Sequence, residues 1–131
     1  MNNPRILFAA SEVYPFAKSG GLADVAYSLP KALNERYDVD VVMPLYQFID
    51  REAFDIEMIS TTFDIKMGGT AYPITLYICK YENLTYYFVY TPILCDRAFL
   101  YCPPQEGYED NYIRFALFNN ALLEMLKHDS Y

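Results

Sequence analysis

Lys18, Gly20 and Gly21, set between an apolar run and a helical pattern, are the residues whose types and spacing could do chemistry. A cation and two glycines ahead of a helix make a place where a phosphate could be held. The apolar run Ile6 to Ser11 reads as a buried strand of a parallel sheet, so the loop leaves that strand at its carboxyl end, where open α/β sheets bind their ligands. Glycine lets the backbone turn tightly and approach a ligand, while the first N–H groups of a helix point outward without intrahelical partners. Lysine adds a mobile full charge. The segment matches neither the phosphate loop ending in Gly-Lys-Ser/Thr nor the three-glycine dinucleotide fingerprint. Two readings therefore stand on the residues alone: an anion site, or a strand-to-helix turn that needs glycine for its geometry. Asp24, in the first helical turn, fits a ligand contact and a helix-dipole interaction equally.

The elements that must position these residues follow from periodicity. The helix opens near Gly21 and carries Leu22, Val25, Ala26, Leu29 and Leu33 as an apolar stripe to lay on the sheet. Pro30 falls inside it and is expected to kink it or split it into two pieces. Tyr37 to Pro44 reads as a second strand, which completes a βαβ unit. From Ile56 to Thr91 the style changes: Gly68-Gly69 closes a hairpin between Phe63–Met67 and Thr70–Leu76, and Pro73 suits an edge or strand-entry position. Leu84 to Thr91 is another strand, set off by Glu82-Asn83, so a meander is expected. Thr91 to Tyr108, with Pro92, Pro103, Pro104 and Gly107, is long for a connection, and loops of that length are usually functional. From Glu109 the pattern is helical to about Lys127, with acids in the first turn and Lys127 and His128 in the last. Its apolar residues Ile113, Phe115, Leu117, Phe118, Leu122, Leu123, Met125 and Leu126 cover more than one face, so burial on several sides is expected.

Composition limits the function classes. A chain of 131 residues is one domain at most. With 53% hydrophobic and 21% charged residues it is globular and not disordered. Ten Lys and Arg against seventeen Asp and Glu give a net charge of −7, which argues against nucleic-acid and anionic-membrane surfaces. A neutral partner fits, and an anionic ligand would need a local positive feature such as Lys18. Cys79, Cys95 and Cys102 form no Cys-x-x-Cys pair, so neither a disulfide framework nor a zinc site is indicated and a reducing cytoplasm fits best. The start carries no signal-peptide pattern, and no run is long enough to span a bilayer. The tyrosines mostly fall in strands, where tyrosine is favoured anyway.

The stretch from Ala10 through Glu12, Lys18, Gly20, Gly21 and Asp24 to Val25, followed by Ser28 to Leu33, closely resembles the amino-terminal signature of bacterial glycogen synthases and plant starch synthases. A second stretch agrees: Cys95-Asp96-Arg97, then Gly107 to Asn111 and Arg114 to Phe118, resembles that family's Asp-Arg loop and the acidic helix start after it. The resemblance implies an α/β fold with a Rossmann-like parallel sheet, its helices and an inserted hairpin or meander. It also implies a retaining glucosyltransferase that moves glucose from ADP-glucose to the non-reducing end of an α-1,4-glucan, without a metal or other cofactor.

Site roles follow from the same resemblance. Lys18 helps bind ADP-glucose by offsetting charge on the diphosphate as the glycosidic bond breaks, with Gly20, Gly21 and Asp24 beside it. Glu12 ends its strand on the ligand side and accepts from glucose hydroxyls, unless it is a solvated loop acid. Asp96 and Arg97 lie near the acceptor side, or else form a local pair that orders the loop. Cys95 stands where many relatives carry an aromatic residue; Tyr101 or Phe99 could supply glucan stacking instead. His128 fits a helix-dipole contact and does not replace the family histidine, which lies beyond Tyr131.

The chain is thus expected to cover residues 1–131 as the amino-terminal half of the first of two Rossmann-like domains, inactive by itself, with self-association through surface left open. Two other classes remain open. One is a non-catalytic interaction module that pairs through its sheet edge and apolar last helix; the other is a glycosyltransferase with another nucleotide sugar.

Overall fold

The computed structural model describes residues 4–102 and 107–127, so the expectations for Pro103, Pro104 and His128 lie outside the described residues. Strand β1 (Arg5–Ala9), helix α1 (Gly21–Leu33) and strand β2 (Asp38–Pro44) form the βαβ unit. β1 and β2 run parallel, with Arg5 opposite Asp38 and Ala9 opposite Val42. β3 (Glu57–Met67), β4 (Thr70–Tyr81) and β5 (Leu84–Tyr90) then make an antiparallel meander. Its two hairpins use the turn that needs positive φ at both central residues: Gly68 at +56° and Gly69 at +81°, then Glu82 at +49° and Asn83 at +69°. The second pair lacks glycine. Glu82 is held there by Lys31 at 2.7 Å and by the Tyr27 hydroxyl.

The five strands lie in the order β1-β2-β5-β4-β3, with β5 parallel to β2 and antiparallel to β4. Pro73 sits opposite Asp64 of β3, ahead of the β4 residues that pair with β5 from Thr75 onward. It therefore occupies a stretch paired on one side, where a missing N–H is tolerated. One sheet face packs under Ala26 of α1 and the Val13–Ala17 loop, with the Phe16 ring set against Tyr86, Phe88 and Phe54. The other face carries Val42, Ile74 and Val89 against Leu117, Phe118, Ala121 and Met125 of helix α3 (Asn111–Met125). Alternate residues of β2 and β5 feed the two cores, so beyond Asp40 in β2 and Thr85 in β5 the strands are apolar on both faces.

Five expectations change. β1 is an edge strand among the described residues, so Ile6, Leu7 and Phe8 are half-buried rather than covered on both faces. α1 lays Ala23, Ala26 and Pro30 on the sheet, and Leu22, Val25 and Leu29 are exposed. Small residues allow the closer approach of helix to sheet, so the alanine stripe wins over the larger one beside it. Pro30 is buried inside one unbroken helix; α1 is not split in two. Glu109 and Asp110 precede α3 rather than sit in its first turn, and Asp110 is the N-cap residue. Tyr112, Leu123 and Leu126 are exposed, so α3 and the turn after it are not buried on several sides. Among the described residues no helix is long and apolar enough to cross a membrane.

Candidate functional site

The three mutually parallel strands β1, β2 and β5 deliver the segments 10–20, 45–56 and 91–102 to one end of the sheet. There they enclose a cleft of about 310 Å³ lined by Lys18, Ser19, Phe48, Phe99, Tyr101 and Cys102. Strand carboxyl ends are where such sheets bind ligands. The first segment begins under Val42, whose carbonyl accepts the Ala10 N–H at 3.1 Å, and carries a cis Tyr14–Pro15 peptide.

Gly20 is the N-cap residue of α1 and offers no side-chain cap; its φ of −161° and ψ of −159° are extended backbone that any residue adopts. A Cβ placed on Gly20 or Gly21 meets nothing within 4 Å. Turn geometry therefore does not require glycine here, contrary to that reading of the sequence. What the two glycines leave is open room at the amino terminus of a thirteen-residue helix, where unpaired N–H groups and the helix dipole favour an anion. Lys18 stands beside this room. Its Nζ lies 2.8 Å from both carboxylate oxygens of Asp24, with the two side chains 48% and 57% exposed. Pairs this exposed contribute about 0–1 kcal/mol, so Lys18 can exchange Asp24 for another anion readily.

Glu12 is 4% exposed and faces inward. It is neither a solvated loop acid nor free for sugar hydroxyls. Its carboxylate accepts the Ser19 N–H, the Gly20 N–H at 3.2 Å, the Ser19 hydroxyl at 3.2 Å and the Tyr101 hydroxyl at 3.2 Å. Tyr101 also meets the Ser11 hydroxyl at 2.5 Å. Burial, with the charge of Glu12 adding to it, holds the Tyr101 phenol above its ordinary value and keeps its proton available to donate. Tyr46 gives its hydroxyl proton to the Ser11 carbonyl at 2.6 Å and stacks on Phe48, ring centroids 5.3 Å apart and planes 5° apart. Phe48 is thereby fixed at the cleft, 44% exposed.

Asp96 and Arg97 do not pair with each other. Asp96 accepts the Tyr90 hydroxyl at 3.0 Å. Arg97 makes a two-point contact with Asp110 at the start of α3, Nη1 to Oδ1 at 3.0 Å, and lies over the Tyr108 ring. Neither lines the cleft with Lys18, although Arg97 adjoins Ala98, which does; the structure brings Lys18, Gly20, Gly21, Asp24 and Glu12 together and leaves Asp96 and Arg97 outside that group. Cys95 is fully buried, donates weakly to the Val89 carbonyl at 3.3 Å and is pushed up to about 12 by desolvation. No ring could stack on a glucan from that position. Phe99 is 42% exposed at the cleft, as Phe48 is. Among the described residues no three His, Cys, Asp or Glu side chains gather to hold a metal.

Two features escaped sequence reasoning. One is Phe48, whose signal was an aromatic residue just after the proline that closes a strand. The other is Arg114, fully buried, which ties the long loop together. Its guanidinium donates to the Leu94 carbonyl at the end of helix α2 (Pro92–Cys95), to the Leu100 carbonyl at 3.0 Å and to Asn111 Oδ1 at 2.8 Å. Desolvation pulls Arg114 below its ordinary value, yet an arginine stays charged in proteins.

Asp110 supplies a pH test of this loop. Its hydrogen bonds to Arg97 hold the carboxyl below the ordinary value of 3.8. The unfolded chain therefore binds the proton more readily, and the stabilisation is full above that value and lost as pH falls through the lower folded one. Urea midpoints of the wild type should drop across that window more steeply than those of Asp110→Asn. Parallel pH profiles for the two would contradict the pairing.

A family model of the starch synthase catalytic domain matches residues 5–131. The chain is 37% identical over 128 residues to a glycogen synthase of Geotalea daltonii, covering 97% of this chain and 26% of that protein. A Hydrogenobaculum glycogen synthase is 38% identical over 125 residues, 95% of this chain and 25% of that one. Among solved structures, the catalytic domain of starch synthase IV from Arabidopsis thaliana bound to ADP and acarbose superposes with a TM-score of 0.81 at 29% identity, covering 96% of this chain and 25% of that one. The chain thus spans about a quarter of the length of these relatives, and its α/β fold is Rossmann-like as theirs is. With a match that runs from β1 through α3, the chain belongs to the starch synthase catalytic domain family.

Proposed function

We propose that these 131 residues are the amino-terminal half of the first of two Rossmann-like domains of a cytoplasmic glycogen or starch synthase. The whole enzyme moves glucose from ADP-glucose to the non-reducing end of an α-1,4-glucan with retention. In this reading Lys18 leaves Asp24 and, with the free N–H groups at the start of α1, offsets the charge that gathers on the diphosphate as the bond to glucose breaks. Phe48 and Phe99 offer apolar ring faces to a sugar across the cleft, and Asp96 and Arg97 shape the acceptor wall through the loop they hold.

The observation that carries the reading is the open space at Gly20 and Gly21 beside Lys18: no turn strain or crowding accounts for glycine there, and room for an anion does. Relatives named glycogen synthase and a starch synthase solved with ADP support the donor class. The test compares the full-length protein with the 131-residue chain in a transfer assay onto glycogen. The full-length protein should use ADP-glucose in preference to UDP-glucose, and the chain alone should show no turnover. Preference for UDP-glucose, or turnover by the purified chain, would contradict the proposal.

A further inference from the structure

Glu12 is a buried carboxylate with no Lys or Arg within ion-pair distance among the described residues. A charge in that position persists only when its acceptor sites are filled by hydrogen bonds. Its donors come from two places. The Ser19 N–H, the Ser19 hydroxyl and the Gly20 N–H belong to the loop that carries Lys18, so Glu12 sets the backbone on which Lys18 and the open end of α1 depend. The remaining donor is Tyr101, far along the chain in the 98–102 segment that also lines the cleft.

Tyr101 is itself fixed from behind. Its carbonyl accepts the Asn111 side-chain amide at 2.8 Å, its ring packs on Phe115 with centroids 5.7 Å apart, and the neighbouring Leu100 carbonyl is held by Arg114. A continuous set of contacts therefore runs from α3 through Tyr101 and Glu12 to Ser19 and Gly20. We propose that Glu12 and Tyr101 form a latch that sets the Lys18 loop against the 98–102 wall, which makes both of them positioning residues for glucosyl transfer. This rests on the Lys18 loop being the donor side. A ligand that changes the width of the cleft must act on the Tyr101–Glu12 bond, so the placement of the loop at one wall depends on the other.

The test is a kinetic double-mutant cycle in the full-length protein with Glu12→Gln, Tyr101→Phe and the pair together, and Lys18→Ala alongside. Tyr101→Phe keeps the ring against Phe115 and removes only the hydroxyl. Each single variant should raise KM for ADP-glucose by roughly tenfold, the scale of one hydrogen bond to a charged group. The double variant should be no worse than the worse single, as groups acting as a unit behave. Effects that multiply in the double variant overturn the latch. So does Tyr101→Phe with an unchanged KM and merely less active protein, since a structural role lowers the folded fraction without altering KM; this readout decides even if Glu12→Gln does not fold. If Lys18→Ala leaves ADP-glucose use intact, the donor-side reading fails and the latch's role with it. If Lys18→Ala is crippled while Tyr101→Phe behaves as wild type, the latch alone fails.

Discussion

Lys18→Ala in the full-length protein should lower kcat/KM for ADP-glucose by about a hundredfold or more, the range found when one preorganised donor to developing charge is removed. The size of the effect follows from where the charge sits. The chain carries a net charge of −7, so the general field repels a sugar nucleotide, and Lys18 supplies the local exception at the cleft. Its partner Asp24 is exposed and its hold on Nζ is weak, so the ammonium is available to a diphosphate at little cost. If the interaction strengthens as the leaving group gains charge, kcat falls as well as kcat/KM. Stability should barely change, because an exposed ion pair contributes little. Unchanged kcat and KM would remove Lys18 from the reaction.

Arg114→Met should destabilise the fold by roughly 3–5 kcal/mol, which is the loss expected when a buried charged donor is deleted and its partners are left unpaired. Methionine approximates the length of the side chain but donates nothing. The buried carbonyls of Leu94 and Leu100 and the partly exposed Asn111 side-chain oxygen would then lose the donor they share. Folded domains have a total stability of about 5–15 kcal/mol, so the loss is a large fraction of it. Arg114→Lys should recover little, since one ammonium cannot span acceptors placed around a planar fork. Urea denaturation measures the difference. A loss under about 1 kcal/mol would mean that water replaces the guanidinium and that the loop is not organised by it.

Local patterns made much of this legible. The βαβ unit, the Gly68-Gly69 hairpin and the Glu82-Asn83 turn depend on neighbouring residues, and each lies where periodicity and turn chemistry placed it. The face of α1 was misread because two stripes one residue apart are both apolar, and hydrophobicity does not say that Ala23 and Ala26 permit a closer approach than Leu22 and Val25. The split at Pro30 failed because sheet packing sustains a helix through one missing hydrogen bond. Glu12 and Arg114 were opaque for a different reason. Their partners lie at Ser19, Gly20 and Tyr101 and at Leu94 and Leu100, and no spacing rule reports whether a charged residue is buried until the loops are folded over it. The same holds for Asp96 and Arg97, which look like a pair in sequence and turn to Tyr90 and Asp110 in space.

The claim that the Lys18 loop is the donor side is tested most directly by a crystal structure of the full-length protein with ADP. A phosphate oxygen should lie within hydrogen-bond distance of Lys18 Nζ or of the N–H groups that open α1, with the Lys18–Asp24 contact broken. ADP bound elsewhere, with Lys18 still 2.8 Å from both oxygens of Asp24 and the room at Gly20 and Gly21 filled only by water, would contradict it.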